Sequence, residues 1–227
     1  MLLISFSYIK IIDMNNTFQR ARTNEQIQTR LEEIIDACEE IYDTEGYEAI
    51  NIKAIGEKIS CTRPAIYKYF HTKEEILMEI LSREFTSWKD ELEDAFHNTK
   101  KTDEKTFCEI LTTSLEHRMK LLELMSLYLK EIENGCRLEK VVEFKKEARS
   151  FFDVFYDGIH TFFPDTNKKK IHMFTQSFML MVHGIYSYIY ESDKQKEAKK
   201  LAGMSSNDID FHAFCFNNIK ALATQLH

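Results

Sequence analysis

The sequence predicts an all-α protein. Only 2 prolines and 6 glycines interrupt the 227 residues, so long segments can remain helical. Apolar residues recur at intervals of three and four along most of the chain, which is the spacing of one helix face. No segment carries a strand signal. The chain is long enough to form one large domain or two small ones, each with a real core.

Composition limits the classes of function. The chain is 44% apolar and 30% charged, with a net charge of −7, which argues against a protein that coats nucleic acid along its whole length but leaves room for a local basic site. The five cysteines are widely scattered and form no Cys-x-x-Cys pair. We therefore expect reduced thiols, no metal site and no cofactor.

Residues 1–23 are expected to form an N-terminal arm. Its start, "MLLISFSYIKII", is too short to span a membrane and lacks the basic region of a signal peptide, so we expect a cytoplasmic protein without a membrane partner. Residues 1–13 are either an extension upstream of a natural start at Met14 or an ordinary arm. Arg20 and Arg22 are either a basic arm that reaches DNA or a solvated tail.

Residues 24–72 are predicted to fold into three helices. The first runs from Asn24 to Glu45, and a short second helix covers residues 52–59, with Asn51 as its N-cap. After the turn "SCT", Thr62 is expected to cap a third helix over residues 63–70. A capping box at Thr72–Glu75 then begins the next helix.

The third helix is predicted to have two faces of different character. Ile66 and Phe70 lie four residues apart and can pack on a small core, so Arg63, Tyr67 and Lys68 fall on the opposite face. Residues 51–73 hold five basic residues against one acid, a local charge of +4 in a protein of −7. A helix, a short turn and a cationic helix together favour a helix-turn-helix that contacts phosphates and base edges.

Residues 73–227 are predicted to form a larger helical domain. A long helix over residues 73–96 begins it, and polar or glycine-containing segments separate the helices that follow. These later helices are predicted near residues 103–117, 119–133, 138–163, 168–191 and 207–226.

The segment "AINIKAIGEKISCTRPAIYKYFHTKEEIL" resembles the DNA-binding head of TetR-family transcriptional regulators. The resemblance covers about residues 24–80 and includes Ile55, Thr62, Ile66 and Tyr67. It departs from the family at Ser60, where the family often has glycine and where a left-handed residue would be strained. Asn51 replaces the family's capping threonine or serine. Beyond residue 80, only the number and length of the helices agree with the family.

The resemblance implies two sets of DNA contacts. The candidate base or groove contacts are Arg63, Pro64, Ala65, Tyr67 and Lys68. The candidate phosphate contacts are Asn51, Lys53, Thr62, Tyr69 and Lys73, the last at a helix N-terminus that itself favours phosphate. The alternative is that the two tyrosines are packing aromatics and the lysines form a solvated face.

The resemblance also implies a homodimer and an effector pocket in the larger domain. In the family, the last two long helices pair with their copies, and the candidate interface residues here are Met181, Ile185, Tyr188, Phe214 and Leu222. The candidate pocket residues are Trp88, Phe107, Met125, Tyr128, Phe152, Phe155, Phe174 and Phe178. The alternatives are a monomer with a thick core and aromatic side chains that serve only as packing.

These expectations describe a ligand-responsive transcriptional regulator. It would repress by binding a palindromic operator in double-stranded DNA as a dimer, and a small apolar effector would release it. We do not expect an enzyme, because no Ser/His/Asp set, paired carboxylates or glycine-rich phosphate loop occurs. The alternative is a helical lipid-binding carrier or an enzyme that uses the apolar body.

Overall fold

The computed structural model describes residues 24–204 and 209–227, and most of these residues are helical, with no strand among them. The predicted arm, with Met14, Arg20 and Arg22, lies outside the described residues. The chain divides into two compact units, the first ending at Ile76 and the second running from Leu77 to His227. Within the described part of the chain, no helix is both long enough and apolar enough to cross a membrane.

The first unit contains the predicted three-helix head. Helix α1 covers Asn24–Glu45, a 3₁₀ turn covers Tyr47–Ala49, α2 covers Ile52–Lys58, α3 covers Arg63–Ile66, and α4 begins at Lys73. Ile34, Cys38, Ile55, Ile66 and Phe70 form its buried core. Burial raises the pKa of the Cys38 thiol to about 12, so this cysteine packs as a neutral apolar residue.

Helix α3 is shorter than predicted. It ends at Ile66 rather than Phe70, and residues 67–69 form turns. The helical winding nevertheless continues, since the Phe70 amide donates to the Ile66 carbonyl at 3.1 Å. Thr62 lies at the N-cap position, but its side chain makes no capping hydrogen bond, so the predicted Thr62 cap is wrong. Its carbonyl instead accepts from the Ala65 amide at 2.9 Å.

The second unit holds most of α4, which covers Lys73–Asn98, and the helices of the body. The body helices are α5 Glu104–Glu116, α6 Met119–Glu123, α7 Leu129–Gly135, α8 Leu138–Phe162, α9 Lys168–Ile189, α10 Asp193–Leu201 and α11 Phe211–Ala223. Helix α11 packs against α5, and a final 3₁₀ turn covers Thr224–Leu226.

Three body elements differ from the predicted helices. The helix predicted over residues 119–133 is interrupted by a π-helical turn at Leu124–Tyr128. Helix α10 was not predicted, because its sequence DKQKEAKKL has no apolar stripe and none of its residues is buried. It depends instead on a capping box between Ser192 and Gln195. The last helix was predicted from Asn207, which lies outside the described residues, and the described helix begins at Phe211.

Candidate nucleic-acid interface and effector cavity

Helix α3 and the turn that continues it to residue 70 present one polar face to solvent and bury the other. Ile66 and Phe70 are buried, whereas Arg63, Pro64 and Lys68 are exposed. Tyr67 is 48% exposed, so its ring projects into solvent instead of packing in the core. The outer face therefore combines two flexible cations with a rigid aromatic ring.

The turn between α2 and α3 is tight. Ser60 adopts a left-handed conformation with φ 51°, and the Cys61 amide donates to the Gly56 carbonyl at 2.8 Å. A Cβ atom on Gly56 would lie 2.6 Å from the Cys61 carbonyl oxygen. Glycine at position 56 thus allows the turn to fold back closely on α2.

The cations near α2 differ in how far they are neutralised. Lys58 pairs with Glu40 of α1 at 2.7 Å, and Lys53 pairs loosely with Glu57 at 3.6 Å. Asn51 acts as the predicted cap, because its Oδ1 accepts from the Ala54 amide at 2.9 Å. Its side-chain amide also donates to the Ala49 carbonyl at 3.0 Å, so the side chain holds α2 in place.

The start of α4 is held by buried contacts. Glu75 is fully buried, and its Oε2 accepts from the His71 amide at 2.8 Å. The Glu75 amide in turn donates to Thr72 Oγ1 at 3.2 Å, as the predicted capping box requires. The Lys73 ammonium lies 4.5 Å from the centroid of the Tyr47 ring, a cation–π distance that fixes this side chain beside the helix N-terminus.

A cleft of about 430 Å³ on the first unit brings half of the predicted DNA contacts together. The predicted residues that line it are Asn51, Lys53, Arg63, Tyr67 and Lys73. Ile52, His71, Thr72 and Glu74 line it as well; from the sequence, Thr72 was predicted only as part of the capping box of α4, and His71 was given no role. The other predicted contacts, Thr62, Pro64, Ala65, Lys68 and Tyr69, are not part of this cleft.

A second cavity, of about 450 Å³, lies within the second unit. Helices α4, α7, α8 and α9 and the π-helical turn contribute to it, and it is lined by Phe85, Met125, Leu129, Phe144, Lys145, Ala148, Arg149, Phe152, Asp153, Tyr156, Met179 and His183. Of the predicted pocket residues, only Met125 and Phe152 line this cavity. Tyr128 is half-buried and not part of the lining.

The remaining predicted pocket residues form a packed aromatic core. Trp88, Phe107, Phe155, Phe174 and Phe178 are fully buried and contact one another through their rings or through shared neighbours. The Trp88 and Phe178 centroids are 6.2 Å apart, and those of Phe155 and Phe178 are 5.2 Å apart. Such spacing leaves no room for a ligand between the rings. The structure thus places these five side chains in the core.

An exposed apolar stripe follows α9. Leu180 is 76% exposed, Tyr188 61% and Met173 47%. Tyr188 stacks on Phe214 of α11, with ring centroids 5.5 Å apart. Ile185, which was predicted at the interface, is only 2% exposed and packs inside the body.

The other predicted interface residues, Met181, Phe214 and Leu222, are half-buried. They border the stripe formed by Met173, Leu180 and Tyr188 rather than forming its centre.

Two regions of the chain match known families. Residues 34–80 match the family described as "Bacterial regulatory proteins, tetR family", and residues 82–224 match "Tetracyclin repressor-like, C-terminal domain". Among curated proteins, none has a sequence that matches this chain significantly.

Several solved structures share the fold. A TetR/AcrR-family transcriptional regulator from Thermobifida fusca YX-ER1 has 16% identity and a TM-score of 0.56, over 86% of this chain and 96% of that one. A TetR-family regulator from Bordetella parapertussis 12822 has 17% identity and a TM-score of 0.54, over 85% and 93%. The regulator FadR from Bacillus subtilis, in complex with stearoyl-CoA, has 14% identity and a TM-score of 0.51, over 86% and 98%.

A three-helix head with an exposed cationic third helix, joined to an all-helical body, defines a helix-turn-helix transcriptional regulator. The chain belongs to the TetR family of these regulators, whose members are DNA-binding proteins that typically respond to a ligand.

Proposed function

We propose that the protein is a repressor that binds a palindromic operator as a homodimer and leaves it when a small, largely apolar effector enters the body. It would act in the cytoplasm, the compartment of bacterial DNA. The observation that carries the DNA-binding part is the outer face of α3, where Arg63, Tyr67 and Lys68 are exposed above a buried Ile66.

The proposed contacts separate into two groups. Arg63 of α3, with Tyr67 and Lys68 of the turn that continues it, would meet base edges in the major groove, as recognition helices do. Asn51, Lys53 and Lys73 line the cleft beside the α4 N-terminus and would meet the phosphate backbone. The cleft is lined by Lys53, Arg63 and Lys73 against one carboxylate, Glu74. Glu57 neutralises Lys53 only weakly, since the two side chains are 3.6 Å apart and both exposed.

Helix α4 supports the proposed response to an effector. Its first turn lines the cleft through Lys73, and farther along the same helix Phe85 lines the cavity of the body. A ligand that shifts Phe85 would act on the helix that begins at the DNA-binding cleft. A coupling free energy of about 1–3 kcal/mol would change operator affinity about 5–150-fold.

The test starts from the operator. Selection of bound duplexes from a random DNA library should yield a palindrome, and fluorescence anisotropy then measures affinity for it at several salt concentrations. Arg63→Ala should cost about 1–3 kcal/mol on that site and flatten preference at one base position, because a bidentate contact is lost.

Lys73→Gln should weaken binding to all duplexes alike and reduce the salt slope by about one unit, because one phosphate contact is lost. Lys58→Gln is the matched control, since Lys58 pairs with Glu40 and lies outside the cleft. A protein that selects no sequence, or an Arg63 variant that binds like the wild type, would contradict the proposed interface.

A further inference from the structure

The floor of the body cavity is apolar. Phe85, Met125 and Phe144 are each at most 5% exposed and line it together with Phe152. Its volume of about 450 Å³ falls in the range of sites for drug-sized ligands. Met125 comes from the π-helical turn Leu124–Tyr128, a local departure from the α-helix that is frequent at functional sites. The floor would therefore hold an apolar group.

One wall of the cavity carries charges in a defined order. Lys145, Arg149 and Asp153 follow each other at intervals of four along α8, so they lie on one face, each about 6 Å from the next along the helix axis. All three line the cavity and are exposed at its rim. The two cations are adjacent, and the carboxylate lies at one end of the row.

The two cations differ in their own contacts. The Lys145 ammonium pairs with Glu133 and lies 5.2 Å from the centroid of the Phe144 ring. No described residue offers the Arg149 guanidinium a hydrogen bond or an ion pair. Arg149 thus keeps its planar fork available for a carboxylate or another oxyanion, which it can bind through two parallel hydrogen bonds.

Two other residues that line the cavity, Asp153 of α8 and His183 of α9, present acceptors instead. His183 Nδ1 lies 2.7 Å from the Met179 carbonyl oxygen, and because a carbonyl only accepts, Nδ1 carries the proton and donates. In the neutral ring, Nε2 is then an acceptor. The Asp153 carboxylate would repel an anion, and the Nε2 atom of a neutral His183 ring has no proton to donate to one, so an anion is directed to Arg149.

We propose that this cavity takes an amphipathic monoanion, a molecule with an apolar chain and one acidic group. The apolar chain lies on the floor formed by Phe85, Met125 and Phe144, and the acidic group pairs with Arg149, assisted by Lys145. The inference rests on the proposed function, because it names the chemical class of the effector that the regulator would sense.

The probe is decanoate, used below its micelle concentration, and binding is measured by isothermal titration calorimetry on the full chain. Decanol and decyltrimethylammonium have the same chain with a neutral and a cationic head group. We expect decanoate to bind at least about fivefold more tightly than either, since a charge-assisted hydrogen bond is lost in both. Equal binding of decanoate and decanol would overturn the assignment, because the chain alone would then carry the affinity.

Variants identify the group that holds the acid. Arg149→Gln should weaken decanoate about fivefold or more and leave decanol unchanged. Lys146→Gln is the matched control, because Lys146 is an exposed cation of the same helix that does not line the cavity. Asp153→Asn should bind decanoate as well as the wild type or better. Loss of decanoate affinity in the Lys146 variant but not in the Arg149 variant would refute the proposal.

Operator binding without ligand separates this inference from the proposed function. If the protein selects a palindrome but binds the three probes equally well, the proposed ligand class is wrong and the proposed repressor function is retained. If decanoate binds through Arg149 but no duplex is selected, the cavity assignment stands and the proposed function fails. If both hold, decanoate should also lower operator affinity in the wild type and do so less in Arg149→Gln.

Discussion

Ser60 holds the turn of the helix-turn-helix in a conformation that suits glycine better. Its φ of 51° costs a residue with a Cβ atom about 1–2 kcal/mol. Ser60→Gly should therefore stabilise the head by up to about 1 kcal/mol, after the larger entropy of glycine in the unfolded chain is subtracted. Hydrogen exchange of α2 amides should slow by up to about fivefold.

Ser150→Gly is the matched control for Ser60→Gly. Ser150 is exposed in the middle of α8, where glycine costs about 0.5–1 kcal/mol. A Ser60 variant that exchanges faster than the wild type would show that the turn is not strained.

The side chains of the head were the most predictable residues of the molecule. The spacing of Ile66 and Phe70 indicates which face of α3 is buried, and Arg63 and Lys68 follow on the other face because a helix has a fixed period. The Thr62 cap was wrong because an N-cap position can be filled without a side-chain hydrogen bond. The pairing of Lys58 with Glu40 of α1 could not be predicted, because it depends on how two helices pack.

Helices α4 and α8 approach each other closely at Gly158. A Cβ atom there would lie 2.2 Å from Phe96 Cε2. The Phe96 ring cannot easily retreat, because it contacts the rings of Phe107 and Phe162 at centroid distances of 6.2 and 5.8 Å. Gly158→Ala should therefore overpack this contact and destabilise the body by about 1–3 kcal/mol in chemical denaturation.

Ser150→Ala provides the comparison for Gly158→Ala, since it adds no volume on an exposed face of the same helix and should change stability by no more than about 0.5 kcal/mol. If the two variants are equally stable, the close contact between Gly158 of α8 and Phe96 of α4 is contradicted. Partial recovery in the double variant Gly158→Ala with Phe96→Leu would confirm that the ring is the obstacle.

Helix α11 is joined to α5 by a titratable contact. His212 Nδ1 lies 3.1 Å from Glu116 Oε1, and Nε2 lies 3.3 Å from Glu109 Oε2. The hydrogen bond to Glu116 raises the pKa of His212 above its ordinary value. A raised pKa means that the protonated ring favours the folded state. This contribution is fully present below the unfolded pKa of about 6.5 and is lost as the pH rises through the folded value.

An NMR titration of His212 should thus give a pKa above 6.5, and Glu116→Gln should lower it. In thermal denaturation near pH 6, where the glutamates remain charged, His212→Gln should be less stable than the wild type. Near pH 9 the two proteins should be equally stable. A difference that persists at pH 9 would show that packing rather than charge joins the two helices. The effect should be small, because both side chains are only partly buried.

Helices with an apolar stripe were predicted from sequence, and the elements that lack one were missed. Helix α9 carries apolar residues over most of its surface and was predicted within two residues of its observed end. Helix α10 has no apolar stripe and depends on its cap. The π-helical turn at Leu124–Tyr128 has no sequence period of its own, so it could not be distinguished from a continuous α-helix.

At the scale of the whole molecule, the amino-acid composition did not predict the position of the cavity in the body. The phenylalanines and Trp88 were expected to line a pocket, but the rings of most of them pack against one another in the core. The cavity lies beside them, on the face of α8 that carries Arg149 and Phe152. Which aromatic side chains fill space and which surround it depends on helix packing, and a count of residue types cannot distinguish the two.

The exposed stripe on α9 predicts the assembly. Leu180 lies at its centre with 76% of its surface exposed, and Met173 and Tyr188 extend it along the helix. A stripe of this kind on a long helix marks an interaction surface, and a two-fold dimer supplies the two heads that a palindrome needs. We therefore expect the wild type to sediment as a dimer.

Leu180→Glu should dissociate this dimer, because the partner would bury an unpaired carboxylate. Circular dichroism should show unchanged helix content, while operator affinity should fall sharply, since each head alone makes half the contacts. Leu201→Glu is the matched control: Leu201 is 79% exposed on α10, outside the stripe, so this variant should remain dimeric and bind DNA like the wild type. A wild type that sediments as a monomer, or a monomeric Leu180 variant that binds the full operator undiminished, would show that α9 does not form the interface on which operator binding depends.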